Sequence, residues 1–166
     1  MTRFFGYFGL LIIFVLLVKP ILPENRGTQH QREAFTAYTK GCENGNAQLC
    51  DLVGVYYFGN KVVDVDLDKA ITYFKKSCLG GYPAGCQRLG SIYRRGDIIN
   101  QNYKMAVTYY KKACDGDLAI GCAYLGYLFK NGLGVDQNNE MANKLYHKAC
   151  DQRPNQGCIN LNEHGW

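Results

Sequence analysis

Residues 75–86 read KKSCLGGYPAGC, and residues 111–122 read KKACDGDLAIGC. The two stretches lie 36 positions apart, and each contains two cysteines eight positions apart, although most residues between the cysteines differ. The same spacing occurs twice more in the same register, at Cys42 and Cys50 and at Cys150 and Cys158. A constant period of this length indicates a repeat architecture, and the repeat therefore has to be assigned before any single helix or motif.

Other columns of the sequence keep the same period. They contain glycine, an aromatic residue, alanine or lysine, and their members are Gly54, Gly90 and Gly126; Tyr57, Tyr93 and Phe129; Ala70, Ala106 and Ala142; Phe74, Tyr110 and Tyr146; and Lys76, Lys112 and Lys148. The repeat domain therefore covers residues 33–166. Its predicted parts are a half unit at 33–46, full units at 47–82, 83–118 and 119–154, and a half unit at 155–166.

Each unit is predicted to contain two helices. The first helix carries an apolar stripe at helical spacing, formed in the middle unit by Cys86, Leu89, Gly90 and Tyr93. Glycine in a helix costs about 1 kcal/mol relative to alanine, so its recurrence on this stripe predicts the close approach of a neighbouring helix. The second helix is predicted to begin after Asp66, Asn102 and Asn138, because Asp and Asn are preferred N-caps. Stacked helix–turn–helix units of this kind predict an all-α solenoid.

The cysteines allow two pairing schemes that respect the period. One scheme joins the two cysteines within each unit and leaves Cys42 and Cys158 without partners. The other uses all eight cysteines, and we therefore predict the bridges Cys42–Cys50, Cys78–Cys86, Cys114–Cys122 and Cys150–Cys158. Each bridge would close a turn between two helix ends, and we expect only the length of that turn to matter. A nine-residue loop closed in this way is worth about 2.5 kcal/mol in the chain-entropy model.

The N-terminus differs in composition from the repeats. Residues 4–18 are apolar and uncharged after Arg3, which is typical of an export signal. As a helix this run would be about 22 Å long, short of the roughly 30 Å hydrocarbon core, which favours a secretion signal. No small-residue cleavage site follows it, however, so an uncleaved anchor is a real alternative. We predict a signal peptide or signal anchor at 1–22 and a linker at 23–32. Export also suits the cysteines, because disulfides form in oxidising compartments. The expected location is secreted or periplasmic, or anchored to the inner membrane by residues 4–22.

The sequence gives no reason to predict a metal or a cofactor. Zinc sites favour close C-x2-C or H-x3-H spacings, which do not occur, and His147 near Cys150 has lysine in the equivalent position of the other units. The net charge of +5 is spread along the chain and does not predict binding to nucleic acid.

The blocks LGSIYRRG, KMAVTYYKKAC and LGYLFKNGLGV resemble the Sel-one-like repeat. With the paired cysteines, residues 33–166 are similar to the Hcp cysteine-rich family, also called the Hcp beta-lactamase family. The resemblance implies a secreted or periplasmic right-handed α/α superhelix with a disulfide between neighbouring helices. It also implies either an adaptor-like scaffold or a penicillin-binding protein with weak beta-lactamase activity.

Catalytic motifs of serine beta-lactamases are missing from the sequence. Its serines are Ser77 and Ser91, and neither is followed by lysine at the third position, as the S-x-x-K motif requires. Thr72 has that spacing to Lys75, but it lies in a helix column shared with Thr108 and Lys144. No residue is therefore assigned a catalytic role.

A binding role is more natural for a solenoid, because one helix of each unit lines a concave surface. The face opposite the apolar stripe varies from unit to unit, as a recognition surface or an ordinary solvated face would. The candidate binding residues on it are Gln87, Ser91, Arg94, Tyr127 and Lys130. The expected partner is a peptide, a protein or a cell-wall fragment, with a beta-lactam as the alternative that the resemblance implies.

Overall fold

A computed structural model of the chain describes residues 27–152. These residues form seven α-helices and no strand. The helices are α1 (Gln29–Glu43), α2 (Ala47–Gly59), α3 (Leu67–Leu79), α4 (Pro83–Arg95), α5 (Tyr103–Asp115), α6 (Ala119–Asn131) and α7 (Asn139–Gln152).

Helices that follow one another in the chain pack together. The pairs α2/α3, α4/α5 and α6/α7 form the hairpins of the three predicted units, and α1/α2, α3/α4 and α5/α6 pack across the cysteine turns. This arrangement confirms the predicted all-α solenoid. It also confirms that each unit contains two helices.

The second helix of each unit begins at the predicted N-cap. The carboxylate of Asp66 accepts a hydrogen bond from the backbone N–H of Lys69 at 2.9 Å. The side chains of Asn102 and Asn138 accept the equivalent bonds at 3.0 and 2.8 Å. These bonds satisfy N–H groups that a helix leaves without an internal partner.

The first helix begins earlier than the sequence suggested. Thr28 accepts a hydrogen bond from the N–H of Gln31, and the Gln31 side chain accepts one from the N–H of Thr28. This capping box starts α1 at Gln29, so residues 29–32 belong to the helix and not to the predicted linker. The predicted signal or anchor at 1–22 and the half unit at 155–166 lie outside the described residues. Within residues 27–152, no helix has the length and apolar character needed to span a bilayer.

Three of the predicted disulfides are present. The bridges Cys42–Cys50, Cys78–Cys86 and Cys114–Cys122 join Cα atoms 4.6, 4.6 and 4.5 Å apart. Cys150 is also disulfide-bonded, and its predicted partner Cys158 lies outside the described residues. The pairing within each unit is therefore excluded for the described bridges.

The turns inside the bridges share one backbone conformation. The third residue after the first cysteine has positive φ in each turn: 91° at Gly45, 85° at Gly81 and 58° at Asp117. Its N–H donates to the carbonyl of that cysteine, at 2.9, 3.2 and 3.1 Å respectively. This left-handed helix ending favours glycine, and aspartate tolerates it better than most residues. The turn therefore requires a suitable residue at this position as well as a constant length.

The recurrent glycine of the first helix makes room for a buried aromatic ring of the second helix. A Cβ atom added at Gly54, Gly90 or Gly126 would lie only 2.5, 2.7 or 3.0 Å from the ring opposite. Those rings are Phe74, Tyr110 and Tyr146, and all three are fully buried. The predicted close approach of helices at the glycine column is thus confirmed, with the partner helix in the same unit.

We predict that Gly90→Ala lowers the free energy of unfolding by about 1–3 kcal/mol, because the methyl group would overlap a ring that cannot move away. Gly59→Ala is the matched control, since a Cβ atom at Gly59 meets no atom within 4 Å. The control should change stability by about 0.5 kcal/mol or less. Urea unfolding of the oxidised protein measures both. Equal stability of the two variants would contradict the packing role of the glycine column.

Candidate functional site

A pocket opens between the first helices of the first two units. Its volume is about 170 Å³, and it lies between α2, α3 and α4. Its walls are formed by Phe58 of α2, Phe74 of α3, and Gln87, Arg88, Ser91 and Arg95 of α4. Two guanidinium groups, an amide and a hydroxyl therefore face one small space beside an aromatic wall.

Arg88 is held in place from two sides. Its Nε donates to the carboxylate of Asp51 at 2.8 Å, and its guanidinium lies 5.5 Å from the centre of the Phe74 ring. Asp51 is only 4% exposed, whereas the Arg88 side chain is 40% exposed. The pair thus joins the first unit to the second, and its anion is buried whereas its cation is partly exposed.

Arg95, the last residue of α4, forms a more exposed ion pair. It pairs with Asp97, and the two side chains are 49% and 47% exposed. The hydrogen bond between them raises the pKa of Arg95 and lowers the pKa of Asp97. Exposed ion pairs are worth little because water competes with them. Arg95 can therefore exchange Asp97 for another anion at small cost.

The equivalent positions one unit later are arranged differently. Arg94 aligns with Phe58, Tyr110 with Phe74, and Tyr124 with Arg88. The Nε of Arg94 donates to the Tyr110 hydroxyl at 3.3 Å, and its guanidinium lies 5.2 Å from the centre of the Tyr124 ring. The two tyrosine rings stack at 5.1 Å. Both junctions thus hold one arginine and two aromatic rings, but the arginine has moved to the other helix.

The sequence matches the Sel1 repeat over residues 47–82, 83–118 and 119–153. The chain belongs to the Sel1 repeat family. These three matches coincide with the units that contain α2 to α7. No curated protein matches the chain significantly.

Several solved Sel1-type structures are similar to the chain. A Sel1 repeat protein from Oxalobacter formigenes has a TM-score of 0.71 at 20% identity, over 77% of this chain and 96% of that one. A protective antigen of uropathogenic Escherichia coli with an SLR fold has a TM-score of 0.69 at 26% identity, over 75% of this chain. The chain spans only 27% of that antigen. Cysteine rich protein B from Helicobacter pylori has a TM-score of 0.63 at 30% identity, over 80% of this chain and 96% of that one.

The structure places the five candidate binding residues on two helices. Gln87 and Ser91 line the pocket on α4, and Ser91 and Arg94 both lie at the hydroxyl of Tyr110. Tyr127 and Lys130 lie half-buried on α6, the first helix of the third Sel1 repeat. Their role as binding residues stays a prediction.

Sequence reasoning missed the two arginines that dominate the pocket. Arg88 occupies a column that holds Leu52 and Tyr124 in the other Sel1 repeats. The available signal was a cation in this column, 37 residues after Asp51, which is the one charged residue in an otherwise largely apolar helix sequence. Among the described residues, no group of three His, Cys, Asp or Glu side chains could hold a metal ion.

Two buried hydroxyl groups lie away from the pocket. Ser77 is fully buried next to Gly85, so a substrate in solution cannot reach it. Tyr146 is also fully buried, and its hydroxyl has no hydrogen-bond partner among the described residues. Burial raises the pKa of Tyr146 to about 12, with a smaller contribution from the nearby Tyr127.

We predict that Arg88→Gln lowers the free energy of unfolding by about 2 kcal/mol. The loss arises because a buried carboxylate is left without its cation, and the partial exposure of Arg88 keeps it below the range for fully buried pairs. Adding Asp51→Asn removes the unpaired charge and should recover at least half of the loss. Urea unfolding at neutral pH gives the coupling between the two sites. Additive effects of the two substitutions would contradict this account.

We predict that Tyr146→Phe leaves stability at neutral pH nearly unchanged and reduces its loss at high pH. In the wild type the unfolded chain releases the tyrosine proton near pH 10 and the folded protein only near pH 12, so stability is complete below pH 10 and falls as the pH rises through this window. At pH 11 this difference in proton release should lower the free energy of unfolding of the wild type by about 1 kcal/mol.

Urea unfolding at pH 8 and pH 11 measures the difference. Tyr110→Phe is the matched control, because it removes a hydroxyl that accepts a hydrogen bond from Arg94. This control should lose about 1 kcal/mol already at pH 8. An equal alkaline loss in the wild type and Tyr146→Phe would contradict the prediction.

Proposed function

We propose that the chain is an exported scaffold that binds a segment of another protein along the face formed by α2, α4 and α6. The pocket on α4 carries this proposal, because polar donors and an exposed aromatic ring meet there on the predicted binding face. Phe58, which lines the pocket, is 38% exposed. Pockets with a few convergent polar groups beside apolar walls are the common form of binding sites.

The pattern of variation along the face supports the same function. The columns that build the fold keep glycine opposite an aromatic ring in all three full units. A half-buried column on the first helix changes completely: Val55 becomes Ser91 and then Tyr127 in successive units. A regular framework with variable surface positions suits recognition of one particular partner.

Export is part of the proposal. It is supported by the apolar segment at 4–18 and by disulfides at every described unit junction, which persist in oxidising compartments. The mass of the mature protein tests whether residues 1–22 are removed. Free thiols in the protein recovered from cells would contradict export.

Beta-lactamase activity is the alternative that the family resemblance implies. The described residues do not favour it. Ser77 is buried, and the groups beside Ser91 are Gln87, Arg88 and the Tyr110 hydroxyl, whereas the serine enzymes place a lysine next to the reactive serine. A chromogenic beta-lactam assay on the oxidised protein separates the two functions. Turnover that Ser91→Ala abolishes would favour the enzyme.

Photo-crosslinking tests the scaffold directly. A photoreactive amino acid is placed at Ser91 in the pocket or, as the control, at Thr108, which is exposed on α5. In the cells that produce the protein, we expect one defined protein adduct from position 91 and none from position 108. Equal labelling from both positions, or a glycan adduct instead of a protein, would overturn the proposal.

A further inference from the structure

We propose that the pocket on α4 binds the side-chain carboxylate of an aspartate or glutamate within the partner segment. This inference rests on the scaffold function proposed above and names the chemistry of its anchor. The charged residues lining the pocket are Arg88 and Arg95. The anions that pair with them, Asp51 and Asp97, are not among the residues that line the pocket, so both charged groups on its walls are cations.

Arg88 is oriented before any ligand arrives. Its bond to Asp51 and its cation–π contact with Phe74 hold the guanidinium from two sides, while part of the side chain stays exposed. A planar guanidinium matches a carboxylate well, and a restrained side chain loses little entropy on binding. The buried Asp51 is thus a positioning residue, which orients Arg88 and does not contact the ligand itself.

Arg95 supplies the second positive group. Because its pair with Asp97 is exposed, an incoming carboxylate can replace Asp97 at little cost. Gln87 adds an amide as a further donor on the same helix, and Ser91 lines the pocket with a hydroxyl that also contacts Tyr110. The exposed ring of Phe58 offers an apolar surface to the methylene groups of the ligand side chain.

The anchor is confined to one junction in the described units. The positions of Gln87, Arg88 and Arg95 hold other residues one unit earlier and one unit later, namely Asp51, Leu52 and Gly59 before and Ala123, Tyr124 and Asn131 after. No neighbouring junction therefore repeats the pair of arginines. The pocket lies on the middle helix of the face, so a segment extending past it in both directions contacts α2 and α6. This placement favours a side chain over a chain terminus as the source of the carboxylate.

The test starts from a bead-displayed library of nine-residue peptides, acetylated and amidated so that they carry no terminal charge. It is selected on the oxidised full chain. We expect enrichment of aspartate or glutamate at one position. Replacing that residue by its amide should weaken binding to the wild type by about tenfold or more, because charge-assisted hydrogen bonds are lost.

Protein variants locate the contact. Arg95→Gln should weaken the acidic peptide about tenfold and remove its advantage over the amide peptide. The double variant Asp51→Asn with Arg88→Gln should do the same without leaving a buried charge unpaired. Lys111→Gln, on the exposed side of α5, removes an equal charge and should leave Kd within about twofold. Fluorescence anisotropy at fixed ionic strength measures all four proteins.

The outcomes separate the two proposals. Peptides without an acidic preference, binding that Arg95→Gln leaves unchanged, a requirement for a free C-terminal carboxylate, or a library without any binder would overturn the carboxylate anchor. A protein adduct at position 91 would still support the scaffold in each of these cases. Failure of both the library and the crosslink would overturn both.

Discussion

The structure depends on the close approach of two helix ends at every cysteine pair. The Cα atoms of the described pairs lie within 4.6 Å, so the residues just before the two cysteines are also pressed together. One member is glycine each time, in the pairs Gly41 and Leu49, Ser77 and Gly85, and Ala113 and Gly121. A Cβ atom on the glycine would overlap its opposite residue or the neighbouring backbone. At each of these contacts, one of the two helices carries a side chain and the other carries glycine.

Two contacts of different kinds then set the geometry of the array. Within a unit, a buried ring rests against glycine and fixes the distance between the two helices. Between units, the disulfide and the left-handed turn fix how one hairpin follows the next, and each nine-residue loop contributes about 2.5 kcal/mol. Because the helices pack mainly on their chain neighbours, few distant contacts could replace these junctions.

The features that repeat could be predicted from the sequence, and those that break the repeat could not. The helices, their N-caps and the bridges leave matching residue types every 36 positions. The left-handed turn residue was hidden because Asp117 stands where Gly45 and Gly81 stand. The start of α1 depends on a capping box outside the repeat. The pocket depends on Asp51 and Arg88, whose 37-residue separation crosses a unit junction one position out of register.

This last contact shows how a repetitive frame acquires a single site. Both junctions place one arginine among two aromatic rings, so the packing and the cation–π attraction are similar. With arginine at position 88, the buried Asp51 balances its charge and part of the guanidinium stays open to solvent. With arginine at position 94, the guanidinium donates to the hydroxyl of Tyr110 and lies over the ring of Tyr124. Moving one cation between two helices thus changes its polar partner from the carboxylate of Asp51 to the hydroxyl of Tyr110. The solenoid remains the same because its glycines and bridges are untouched.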